Sequence, residues 1–164
     1  MIFKNLKNKL NISLFSIIFI FVIDRISKFY IIYLSQKNFD NELFISTYLN
    51  IVLIWNDGIA FGLLSSKENY LYNLISLIII IIILILFYLI YKSKNFKKFS
   101  YILVTGGALG NVFDRILYKS VPDFIDVHFN GFHWFIFNIA DIFITIGVIC
   151  LIYDEIFIEK TEND

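Results

Sequence analysis

Two carboxylates stand out in the C-terminal third of this chain. Asp123 lies in "SVPDFID" (120–126), and Asp141 ends "FNIAD", three residues after Asn138. An acid among so many Ile and Phe residues is costly unless it faces a partner or a wet cavity. Two carboxylates held close cannot both ionise cheaply; they share a proton, and their apparent pKa values split. The charged one can take a proton from water while the neutral one donates a hydrogen bond to a carbonyl oxygen. Such a pair hydrolyses an amide by general acid–base chemistry, with neither a metal nor a covalent intermediate. Spacing alone leaves two other readings open. Asp141 could pair with Arg115 while Asp123 caps a helix or turn, or the acids could line an ion or proton path. Asp114 is the runner-up member of the pair, since position does not separate it from Asp123.

Further polar residues interrupt apolar runs. Asp24 and Lys28 are four apart, so they share a helix face, either as an ion pair between helices or as the lining of a polar cavity. Arg25 points elsewhere, to snorkel or to meet another carboxylate. In "GGALGNVFDRI", Gly107, Asn111 and Asp114 fall on one face. Gly106 and Gly110 form a GxxxG pair that admits a second helix closely. Asn111 and Arg115 read as the polar wall of a site near the outer end of that helix, and Asn138, Asp141 and Thr145 share a face of the next.

The elements that must carry these groups are membrane helices. The chain has 164 residues, 59% apolar and only 17% charged, and the apolar residues gather in runs near the length that crosses a bilayer. Four spans are expected, at about Leu14–Leu34, Tyr70–Tyr91, Phe99–Leu117 and Phe137–Phe157, in a single domain over 1–164. The first follows Lys4, Lys7 and Lys9 like a secretory leader, but no small-residue cleavage pattern follows it, and it reads as a retained helix. Lysines before span one, and Lys92, Lys94, Lys97 and Lys98 after span two, place both regions in the cytoplasm. Segments 36–69 and 118–136 then face outward, and parity returns the C-terminus to the cytoplasm. "FISTYLNIVLIWN" reads as strand, "NDGIAFG" as a turn, and Asn130-Gly131 between aromatic residues as a type I′ hairpin. The expected class is therefore an all-α membrane protein of four transmembrane helices with a small extracytoplasmic β element.

Several functions are disfavoured. Formal net charge is zero, which offers no surface for nucleic acid. Cys150 stands alone, so no intrachain disulfide or Cys-based zinc site is possible. The two histidines have no Cys neighbours, and no metal or cofactor is expected.

"DRISK", "NDGIAFG", "GGALGNVFDR", "VPDFID" and "FNIAD" occur in this order along a chain of four spans with a basic loop between the second and third. In that combination the chain resembles lipoprotein signal peptidase, also called signal peptidase II, over nearly its whole length. The resemblance implies an aspartic endopeptidase of the bacterial cytoplasmic (inner) membrane. Its substrates would be diacylglyceryl-prolipoproteins, from which it removes the signal peptide. It implies Asp123 and Asp141 as the catalytic pair. Asp24, Lys28, Asn56, Gly58, Asn111, Arg115, Asn138 and Ala140 match positions expected to hold substrate or shape the pocket. A small outer β-cradle and a loop over the site are also implied. Trp55 and Phe61 would lie on lipid or substrate chains, or else anchor the chain at the membrane interface. Pro122 departs from the branched aliphatic residue usual before the first aspartate, which leaves the geometry of Asp123 less defined than that of Asp141. The resemblance says nothing of oligomeric state. The alternative from another class is a small proton- or ion-coupled transporter or channel subunit. It calls for polar faces through the full membrane depth, whereas polar residues here gather near the outer ends of spans three and four.

Overall fold

The structure, a computed structural model, describes residues 2–37, 42–57 and 69–158. Four helices coincide with the four apolar runs: α1 (Ile2–Gln36), α2 (Asn69–Lys92), α3 (Asn95–Tyr118) and α4 (Ile139–Tyr153), the last continued by a π-helical turn, Asp154–Ile158. Tyr72–Lys92 is the one helix among the described residues that is long and apolar enough by itself to cross a membrane. The others differ for chemical reasons. α1 and α3 carry the charged residues singled out above, and α4 has 15 residues before its π-helical turn.

α3 is the central helix, packed on α1, α2 and α4. Its glycines make that possible. A Cβ on Gly107 would strike the Ala140 carbonyl of α4, and one on Gly110 would strike the Asp24 carboxylate of α1. Close backbone approach brings buried polar groups of three helices within reach of one another. Around them lie two apolar clusters, one of Ile17, Ile20, Ile90, Ile102 and Leu103, the other of Ile83, Ala108 and Val112. α2, with its uninterrupted Ile run, leans chiefly on α3 and leaves Leu84 and Ile85 exposed.

The β element is larger than the sequence suggests. Four strands form one antiparallel sheet in the order β1-β2-β3-β4: β1 (Glu42–Ser46), β2 (Leu49–Asn56), β3 (Val121–Phe129) and β4 (Phe132–Phe137). "FISTYLNIVLIWN" is not one strand but a hairpin turning at Thr47 and Tyr48. "VPDFID" is more than a segment beyond the helix: it is the start of β3 and pairs with β2 across the α2–α3 excursion. That pairing joins segments some 70 residues apart, beyond what local pattern reveals. The hairpin between β3 and β4 forms as the Asn-Gly signal predicts, with φ of 49° at Asn130 and 79° at Gly131, the left-handed pair a type I′ turn requires. Pro122 is the second residue of β3, near the strand start where a missing N–H is tolerated.

Candidate active site

The sheet and the helix bundle meet where β4 runs directly into α4. Asn138 is the hinge residue. Its extended backbone ends the strand, and its side chain caps the helix by accepting from the Asp141 N–H at 3.2 Å. Asp141 returns the contact, accepting from the Asn138 N–H at 3.1 Å. This capping box satisfies two N–H groups that a helix start leaves without partners. A third, that of Ala140, donates to Asp24 Oδ1 on α1 at 3.1 Å. Asp141 is thus fixed by the first turn of the helix that carries it.

The other acid reaches the same place from the sheet. Asp123 on β3 accepts from Asn138 Nδ2 at 2.6 Å and from Asn56 Nδ2, at the end of β2, at 2.8 Å. Asn138 therefore binds both carboxylates, one through its side-chain amide and one through its backbone. Burial pushes the Asp123 carboxyl up to about 6, and the charge of Asp141 adds to the rise. The bonds from Asn56 and Asn138, and the charge of Lys28, work against it. Asn111 on α3 completes the frame: its Nδ2 donates to Asp141 Oδ1 at 2.8 Å, and its Oδ1 accepts from Lys28 Nζ at 2.8 Å.

Behind Asn111 lies a buried ionic quartet. Lys28 Nζ is 3.0 Å from Asp24 Oδ1 and 2.7 Å from Asp114 Oδ2. Arg25 bonds Asp24 and Asp114 and donates to the Gly110 carbonyl at 3.0 Å. Its guanidinium also lies 5.0 Å from the Phe113 ring. Two cations and two anions cancel, which is the condition for burying charge in an apolar bundle. Lys28 is 2% exposed, and Asp24 and Asp114 are fully buried.

A cavity of about 170 Å³ opens between the sheet and the helices, lined by Asn56, Asn111, Arg115, Asp123, Asn138 and Asp141 on its polar side and by Val121, Phe135, Phe137 and Ile144 on its apolar side. Six of the ten residues expected at the site thus surround one space. Asp24, Lys28 and Ala140 do not line it. The first two belong to the quartet, and Ala140 is fully buried with its N–H on Asp24. Gly58, with Phe61, lies outside the described residues. Asp114 does not line the cavity: it is fully buried on the far side of Asn111, held by Arg25 and Lys28. That Asn138 bridges the two acids does not follow from residue types and spacing. The adjacency of a strand end, Phe137, to an N-cap residue is the signal that could have found it.

The sequence model of the family described as signal peptidase (SPase) II matches residues 16–157. The lipoprotein signal peptidase of Pelagibacter ubique (strain HTCC1062) is 46% identical over 160 residues, covering 98% of this chain and 96% of that protein. That of Burkholderia vietnamiensis (strain G4 / LMG 22486) is 39% identical over 150 residues, covering 90% and 86%. A solved structure described as a bacterial membrane enzyme, obtained by the in meso method at 2.3 Å resolution, superposes with a TM-score of 0.78 at 36% identity, over 94% of this chain and 92% of that one. With its helices, sheet and paired acids in this setting, the chain belongs to the signal peptidase II family of membrane aspartic proteases.

Proposed function

We propose that this chain removes the signal peptide from diacylglyceryl-modified prolipoproteins, with Asp123 and Asp141 as the catalytic dyad. The observation that carries the reading is that two carboxylates from different elements, one on a strand and one on a helix start, are both held by Asn138 at one cavity. Asp123, drawn up to about 6, holds the proton and hydrogen-bonds the scissile carbonyl oxygen. Asp141 takes a proton from the attacking water. The water oxygen bonds to the carbonyl carbon, and collapse of the intermediate breaks the C–N bond as a proton passes to the leaving amine. Asn56 and Arg115, on the polar wall, bind the peptide backbone. The apolar wall of Phe135, Phe137 and Ile144 receives side chains or acyl groups. Asn111 carries the position of the quartet to Asp141, so Asp24 and Lys28 act by holding the site rather than by touching substrate.

The same reading places four spans in the bacterial inner membrane, with both termini cytoplasmic and the sheet at the outer surface. Large apolar side chains exposed on all four helices support it, among them Phe15, Phe29, Leu84, Ile116 and Ile149. So do Phe129, Phe132 and Trp134 at the tip of the outer hairpin, each more than 60% exposed, which suit the membrane–water interface.

The test is cleavage of a purified diacylglyceryl-prolipoprotein by the wild type and by Asp123→Asn and Asp141→Asn, each confirmed folded. Each substitution lowers the rate by at least about 10²–10⁴-fold. A variant that still cleaves at the wild-type rate removes its residue from the dyad.

A further inference from the structure

The outer hairpin gathers a second set of donors, away from the cavity just described. Asp126 and His128 are two apart on β3, so both project from one face of the strand. His133 on β4 is the direct cross-strand partner of His128. The imidazoles stack with centroids 4.9 Å apart. One ligand atom from each of Asp126, His128 and His133 lies within 4.8 Å of the others. Asp126 is 3% exposed, an unusual place for a carboxylate without a cation.

The two imidazoles stand at different distances from Asp126. His133 Nδ1 sits 2.8 Å from Asp126 Oδ2, an ordinary hydrogen bond. His128 Nδ1 is buried, has no hydrogen-bond partner among the described residues, and lies 3.6 Å from the same oxygen. That is too long for a hydrogen bond. It is close to the separation of roughly 3.3 Å between two ligands of one tetrahedral ion with bonds of about 2.0–2.2 Å. His133, whose side chain is 56% exposed, can turn to open its own contact by the few tenths of an ångström required.

We infer that Asp126, His128 and His133 form a binding site for a first-row transition dication of the Zn²⁺ type. Two imidazoles and one carboxylate are the borderline donor set that suits such ions and not Mg²⁺ or Ca²⁺, which require a shell of oxygens. Three protein ligands leave a fourth position for water. The site would staple β3 to β4. Asp126 lies three residues beyond Asp123, and His133 five residues before Asn138, so the ion clamps the two strands that deliver the acids without entering the cavity. In the sequence the two histidines have no Cys neighbours to suggest a metal site. Strand pairing supplies instead a buried Asp that adjacency does not reveal.

The experiment is titration of the untagged, detergent-solubilised chain, freed of metal, with Zn²⁺, alongside Mg²⁺ as control and Co²⁺ as a spectroscopic substitute. The expected result is one Zn²⁺ per chain with micromolar or tighter affinity, the visible bands of four-coordinate Co²⁺, and no response to Mg²⁺. The thermal midpoint rises by about 5 °C at a hundredfold excess of Zn²⁺ over Kd. His133→Gln, at a half-exposed position, and His128→Gln each weaken Zn²⁺ binding at least tenfold while the folded far-ultraviolet spectrum is kept. Absence of Zn²⁺ binding by the folded wild type, or affinity unchanged in both variants, overturns the assignment.

Discussion

Asn138 does at the residue scale what neither acid could do for itself: with three of its own atoms committed, it fixes a strand carboxylate and a helix carboxylate on one cavity. The protonation of Asp123 then becomes a measurable quantity. Its carboxyl stands at about 6, above its ordinary 3.8, so the proton is present below pH 6 and lost above it. If this proton serves the scissile carbonyl, kcat/KM falls as pH rises through about 6. Asn56 hydrogen-bonds the charged form and holds the value down. Asn56→Ala therefore moves the descending limb of the profile to higher pH, and a limb that stays or moves to lower pH contradicts the assignment. Asp114 illustrates the opposite case, an acid used for structure. Asp114→Ala leaves Arg25 and Lys28 facing a single carboxylate in a buried setting. The cost is about 3–5 kcal/mol, read as a fall of roughly 10 °C in Tm of the solubilised protein.

At the scale of elements, the site exists because α1, α3 and α4 approach closely enough for Asp24 to reach the N-terminus of α4. Gly110 sets that distance. In Gly110→Ala the added Cβ meets the carboxylate of Asp24, which the quartet holds in place. Overpacking of this kind costs about 1–3 kcal/mol and also disturbs the ions behind Asn111, so stability and cleavage fall together. Gly131→Ala is the contrasting change. Space around it is open and only φ of +79° is strained, so it costs about 1 kcal/mol and leaves cleavage of the lipid-modified precursor near wild type. Thermal melts and cleavage assays on the two variants separate these effects. Equal loss of activity in both would mean that the hairpin, not helix approach, limits the site.

For the whole molecule, the arrangement is a bundle capped at one end by a sheet, with the cavity at the boundary between them. Under the proposed function, a substrate confined to the membrane plane meets such a site at raised local concentration, and exclusion of water from the cavity strengthens the electrostatics of the proposed dyad. The proposed topology, which rests on the lysine distribution, predicts which parts face which compartment. After Cys150→Ser, a single cysteine at Asn130 reacts with a membrane-impermeant thiol reagent added to intact spheroplasts. A single cysteine at Ser93, between α2 and α3, reacts only after lysis. The reverse labelling pattern would invert the topology and place the cavity on the cytoplasmic side.

The chain's local chemistry determined where the helices run and where the β3–β4 hairpin turns. Long apolar runs dictate the helices, and Asn130-Gly131 dictates a left-handed pair in the turn. The residue types at 123 and 141 already suggested paired acids. Tertiary structure alone decided the rest. Periodicity carries no information about which strand pairs with which, so the union of β2 and β3 across two helices was invisible. With it went the bond from Asn56 to Asp123. Charge spacing along α1 and α3 could not say whether Asp114 faces the cavity or the quartet, because the three-dimensional approach of Arg25 and Lys28 makes that choice. The meeting of Asp126 with His128 and His133 likewise follows from register across a hairpin, a property of two strands together and of neither one alone.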